Sequence, residues 1–189
     1  MPARSTHHTI VALVEDKPGV LNRIASKWRQ RGFNIESLAV GHSEIPGLSR
    51  MTFTVDGAKH DVDQVTKQLF KVIEVVNITD ITSEDTVARE LALIRVAASV
   101  NNRTALFEIA QVFRANVVDV AHDSMIFEVT GNEDKIEALY ELLLPYGVME
   151  LMRTGRIAMK RGGGGQDLDD GHRRYRSAGE GKAQVGSLL

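Results

Sequence analysis

The sequence predicts an α+β protein of two tandem βαββαβ units followed by a disordered C-terminal tail. Three observations predict it. Hydrophobic periodicity between residues 8 and 83 reads strand, helix, strand, strand, helix, strand; the same order recurs over 88–160, although the residues themselves do not repeat; and periodicity ends near Lys160. Two helices on one face of a four-stranded antiparallel sheet make the ferredoxin-like arrangement of split βαβ units, which leaves the other sheet face bare. At 189 residues the chain has room for two such small domains.

Thr9 to Val14 is a β-branched, apolar run stopped by the turn-forming EDKPG, as in a buried strand. From Gly19 to Arg31, Val20, Leu21, Ile24, Ala25 and Trp28 recur at helical spacing opposite a polar face, and Gly32 stops the helix. Phe33 to Val40 and Met51 to Val55 alternate around the Pro46-Gly47 turn signal and read as a hairpin. Asp61 to Ile73 places Val62, Val65, Leu69, Val72 and Ile73 on one helical face, and Val75 to Ile81 resumes a strand. Ser83 to Ala88 is a short polar linker. In the second unit, Glu90 to Ser99, Val117 to Ala121, Met125 to Thr130 and Val148 to Thr154 are strand-like. Thr104 to Phe113 and Glu133 to Leu143 are helical, the latter stopped by Pro145 and Gly147. Residues 161–189 are rich in glycine and charge and offer no core, so they are expected to be disordered; the run Arg173, Arg174, Arg176 reads as a solvated cluster or as a contact for RNA or an acidic partner.

Composition narrows the function. With 23 Lys+Arg against 25 Asp+Glu the net charge is -2, which lacks the electrostatic footprint of a phosphate-binding surface, so no nucleic-acid partner is expected. The absence of cysteine excludes disulfides, thiolate zinc sites, iron–sulfur clusters and cysteine nucleophiles. No apolar run approaches the ~18 residues of a membrane span, and MPARSTHH is no signal peptide, so a cytoplasmic location without membrane contact is expected. The six histidines show no metal-ligand spacing, and no phosphate-loop or dinucleotide motif follows a strand. Neither a metal nor a nucleotide cofactor is expected.

The informative stretch is Glu15 to Leu21, EDKPGVL, which joins the first strand to the first helix. Free N–H groups and the positive dipole end at a helix start suit a carboxylate, and Gly19 lets a ligand approach the backbone. Asp16 serves either as the helix cap or as the partner of an ammonium group, and these uses compete. Asn34 opens the second strand and serves either its turn or a ligand. Together these groups fit an α-amino acid.

EDKPGVLNRIA (15 to 25), RGFNIESLAV (31 to 40), LSRMTFTV (48 to 55), KQLFKVIEVV (67 to 76), RELALIRV (89 to 96) and RANVVDV (114 to 120) resemble the small regulatory subunits of acetohydroxyacid synthase, also called acetolactate synthase. The resemblance covers about residues 8 to 160 and makes 8–83 an ACT domain and 88–160 a second ferredoxin-like domain. It implies a non-catalytic subunit that activates the large catalytic subunit and confers feedback inhibition by valine in branched-chain amino-acid synthesis. No cofactor is implied in this subunit; thiamine diphosphate, magnesium and FAD would belong to the large one. The implied effector contacts are Asp16, Gly19, Val20, Leu21, Asn34 and Ile35. Many members carry Asn where this chain has Asp16, whose charge favours an ammonium group and repels a carboxylate. Two other classes stand beside this one: an amino-acid-responsive transcription regulator, which would need a DNA-reading helix pair, and a small enzyme, which would need a convergent catalytic set. A ~75-residue unit with open sheet edges is marginal alone, so a homodimer through the first domain is expected, with effector sites between subunits.

Overall fold

The computed structural model describes residues 7–56 and 62–162, the side chains of 63–65 apart. The tail from residue 163, with Arg173, Arg174 and Arg176, lies outside the described residues, as do His60 and His172. Contacts divide the chain into two units, one holding the residues up to Val87 with those from Ala158, the other Ala88–Ile157.

The first unit runs β1 (His7–Glu15), α1 (Val20–Gln30), β2 (Ile35–His42), β3 (Leu48–Asp56), α2 (Val62–Leu69) and β4 (Val75–Asp80). Its sheet has the order β2-β3-β1-β4, and β3 is antiparallel to both β1 and β2. Ile10, Ala12 and Val14 of β1 join Met51, Phe53 and Val55 of β3 and Val20, Ile24 and Trp28 of α1 in one core. Trp28 is fully buried, edge-on to Phe33 at 5.3 Å and tilted against Phe53 at 5.8 Å. Gly32, at φ 76, ends α1: its N–H donates to the Arg29 carbonyl at 3.0 Å and the Phe33 N–H to the Trp28 carbonyl at 3.2 Å. This is the double closure in which a left-handed glycine lets the next apolar side chain fold back onto the last turn.

Two expectations need correction. The β1 and β3 residues of alternate pleat parity, Val11, Leu13, Thr52 and Thr54, are buried too, so this sheet face is not bare along its two central strands. Ile73 was expected on the inner face of the second helix; α2 ends at Leu69, the chain turns, and Ile73 is exposed while Val72 meets the core.

The second unit runs β5 (Thr86–Ala97), α3 (Arg103–Phe113), β6 (Asn116–Val120), β7 (Ser124–Gly131), α4 (Glu133–Leu143), a 3-10 turn (Leu144–Tyr146), β8 (Val148–Arg153) and β9 (Ile157–Lys160). The order β6-β7-β5-β8 repeats that of the first sheet. Asn132 caps α4 by accepting the Lys135 N–H at 3.2 Å, with Glu133 and Asp134 in the first turn facing the positive dipole end. The sequence pattern missed β9, which pairs with β5. Past it the Arg161 N–H donates to the Asp85 carbonyl at 2.8 Å and Lys160 pairs with Glu84 at 3.0 Å.

Two clusters yield stability predictions. The Glu90 carboxylate is only 8% exposed and accepts a two-pronged bond from Arg153, at 2.9 and 2.8 Å. That pairing raises the guanidinium pKa despite partial burial. Arg153→Ala strands a buried carboxylate and is expected to destabilise the protein by about 2 kcal/mol, below the range for fully buried pairs because Arg153 is partly solvated; urea unfolding followed by circular dichroism reads this, and an unchanged midpoint would contradict it.

At the end of β4, burial raises the Asp80 pKa, but hydrogen bonds with the Thr82 hydroxyl, the His8 ring (2.7 Å) and the Thr82 N–H more than offset it, and the pKa falls below the ordinary value. A carboxyl lowered in the folded state contributes stability that is present above its unfolded pKa and lost as pH falls through the folded one. The wild type is therefore expected to lose more stability than Asp80→Asn between pH 5 and pH 2.5, compared by urea midpoints; equal losses would show that the cluster contributes nothing.

Candidate functional site

The loop from Glu15 to Gly19 leaves the buried end of β1 and is tied down on both sides. The Glu15 N–H donates to the Glu74 carbonyl at 2.8 Å, and the Asp16 N–H donates to the Gly47 carbonyl, in the β2–β3 turn, at 2.9 Å. Lys17 pairs with Glu15 at 2.6 Å. Gly19 is the residue before the first turn of α1 and adopts φ 85, a left-handed conformation that side chains disfavour. A β-carbon built on it would meet no atom within 4 Å, so the space in front of the helix start is open.

α1 has no capping side chain and no acidic residue in its first turn. Its first amides and the positive dipole end therefore lack the compensation that α4 receives from Asn132, Glu133 and Asp134. Asp16 is not the cap: its carboxylate lies 3.3 Å from the His42 ring at the end of β2, with the Asp16 side chain 48% exposed and that of His42 88% exposed. Of the expected effector contacts on this loop, Val20 turns its side chain into the core, leaving only its backbone at the helix start, while Leu21 is 40% exposed beside it.

Asn34 and Ile35 lie elsewhere. Ile35 is opposite Val55, which is opposite His8, whereas the loop leaves β1 at Glu15, opposite Leu48. At ~3.3 Å per residue, the stretch from His8 to Asp16 separates the two groups by about 25 Å along the sheet. Within one chain the structure gathers Asp16, Gly19, Val20 and Leu21 but leaves exposed Asn34 and half-buried Ile35 at the opposite end.

Sequence reasoning missed His42 and Gly47 as neighbours of the loop. Their signal was topological: in a split βαβ unit β1 and β2 are parallel, so the residue ending β2 lies at the same sheet end as the loop ending β1. The matching loop of the second unit is tied by other side chains, although α3, like α1, has no capping side chain and no acidic residue in its first turn. The Ser99 N–H donates to the Asn102 side chain at 2.7 Å, and Arg103 donates to the Ala121 and His122 carbonyls at 2.6 and 2.7 Å. Among the described residues no group of three or more His, Asp or Glu side chains could hold a metal ion, and no helix is long and apolar enough to cross a membrane.

Comparison with known proteins assigns both units. Residues 10–77 match the model of the ACT domain of acetohydroxyacid synthase small subunits, and residues 89–162 match the model named small subunit of acetolactate synthase. The chain belongs to the acetolactate synthase small-subunit family. The probable acetolactate synthase small subunit of Archaeoglobus fulgidus is 54% identical over 155 residues, 82% of this chain and 97% of the relative. The acetolactate synthase small subunit of Bacillus subtilis is 51% identical over 154 residues, 81% of this chain and 90% of the relative. The crystal structure of the Thermotoga maritima acetolactate synthase small subunit superposes with a TM-score of 0.75 at 39% identity, covering 82% of this chain and 98% of that one. In this small-subunit family member, the tandem α+β architecture and the ACT assignment of the first unit stand as expected from the sequence.

The open helix start makes a separable prediction about Gly19. Gly19→Ala forces a side chain into the left-handed conformation without touching a neighbour, so it is expected to cost about 1 kcal/mol. Urea unfolding monitored by Trp28 fluorescence measures this, and a loss above 3 kcal/mol would mean that the loop is packed rather than open.

Proposed function

We propose that this chain is the regulatory subunit of an acetolactate synthase: it binds the catalytic large subunit, raises its activity and confers feedback inhibition by valine, in the cytoplasm. Thiamine diphosphate, magnesium and FAD belong to the large subunit, and this chain contributes no catalytic group. The reading rests on the family and on one observation: the amides fit for a carboxylate and the amide side chain of Asn34 stand at opposite ends of one sheet.

A second copy resolves the separation. β2 is an edge strand, and two copies of β2 paired antiparallel about a two-fold axis, overlapping over their full length, set Ile35 of one opposite His42 of the other. Asn34 of the second copy then lies at Ser43, beside the Asp16–His42 pair. The effector carboxylate rests on the start of α1, its ammonium group on Asp16, and Asn34 of the second copy closes the site. Pairing also covers an edge strand of the sheet.

This arrangement is tested by complementation. Gly19→Asp places a negative charge where the carboxylate rests, and Asn34→Ala removes hydrogen bonds worth about 1–3 kcal/mol; each variant alone is expected to bind valine poorly while still activating the large subunit. Mixed dimers of the two variants contain one intact site and one doubly damaged site. Calorimetry is expected to recover wild-type affinity at half the wild-type stoichiometry per mixed dimer. No recovery in verified mixed dimers would contradict a site shared between copies.

A further inference from the structure

We propose that His42 is a positioning residue that makes effector binding pH-dependent: its protonated ring holds the Asp16 carboxylate, and its neutral ring releases that carboxylate to the effector's ammonium group. The inference rests on the effector reading above and adds a residue to it. His42 ends β2 and Asp16 opens the loop after β1, so their 3.3 Å contact links the hairpin to the helix start. Among the described residues the His42 ring is the only ion-pair partner of the Asp16 carboxylate. Both side chains are solvated, so a small cation reaches the carboxylate without displacing any packed group. An ammonium group and an imidazolium compete for one acceptor.

The surrounding charges are already matched. Glu15 pairs with Lys17, Arg50 of β3 with Glu44 at 2.9 Å, and Arg23 of α1 with Glu74. Carboxylate, ammonium and guanidinium groups generally keep their charge between pH 5.5 and 8, whereas histidine is the side chain that changes charge in that interval. His7 pairs with Glu36 of β2 at 3.4 Å, and a second copy docked on β2 brings this pair to the same seam, so it needs its own control. An exposed pair is weak, which bounds the effect.

The experiment is calorimetric titration of the full chain with valine from pH 5.5 to pH 8. Wild-type affinity is expected to rise with pH by about 1.5- to fivefold, the range an exposed ion pair sustains. His42→Gln, which removes the competing charge, is expected to bind at the wild type's high-pH affinity throughout. His42→Arg, charged throughout, is expected to stay at the low-pH level, and His7→Gln to keep the wild-type profile. A wild-type slope retained in His42→Gln, or no slope in the wild type, overturns the role of His42 while leaving the effector site standing. Undiminished valine binding by Gly19→Asp, or no valine binding by the wild type at any pH, overturns the effector site and this inference with it.

Discussion

One strand pairing governs the first unit: β3 lies between β1 and β2 and is antiparallel to both. The two outer partners are therefore parallel, α1 returns the chain between them, and the loop after β1 and the first residue of β2 lie at opposite sheet ends. No rotamer change brings groups about 25 Å apart into contact with one amino acid. The separation follows from strand direction and register, and β3 sets the register: Met51, Phe53 and Val55 lie in the helix-facing core and Thr52 and Thr54 on the other face, so a slip by one residue would turn threonines into that core.

The two ends of α1 are secured differently. Trp28 and Phe33 pack edge to face at the far end of α1, while at the near end no side chain caps the helix and Gly19 has open space beside it. The second unit has the same strand order, and its α3 likewise starts without a capping side chain; there the Asn102 side chain accepts the Ser99 N–H and the Arg103 guanidinium donates to the Ala121 carbonyl. The two helix starts differ in the residue before the helix: Gly19, at φ 85, has open space beside it, where the second unit carries Asn102.

Much of this was legible in the sequence. The βαββαβ order, the helix stop at Gly32 and the significance of EDKPGVL follow from periodicity and backbone chemistry, which are local. What was missed is non-local or falls where local signals mislead. β9 is too short to show a period, and Ile73 keeps helical spacing after the helix has ended at Leu69. The burial of Val11 and Leu13 was visible as a continuous apolar run, yet the expectation of a bare sheet face ignored what such a run implies. Asp16 resembled a cap by spacing alone; its partner, His42, is brought to it only by the tertiary arrangement.

The absence of native cysteine permits a direct test of the proposed shared site. In the proposed pairing of β2 with its copy, Asn34 of one chain lies opposite Ser43 of the other, within the ~4.4–6.8 Å Cα spacing that a disulfide requires. Asn34→Cys and Ser43→Cys are prepared separately, mixed under exchange conditions and oxidised mildly. A disulfide-linked dimer that forms in the mixture and in neither variant alone is the expected result. A mixture that remains uncrosslinked while native mass spectrometry shows intact mixed dimers would contradict the pairing and the site built on it.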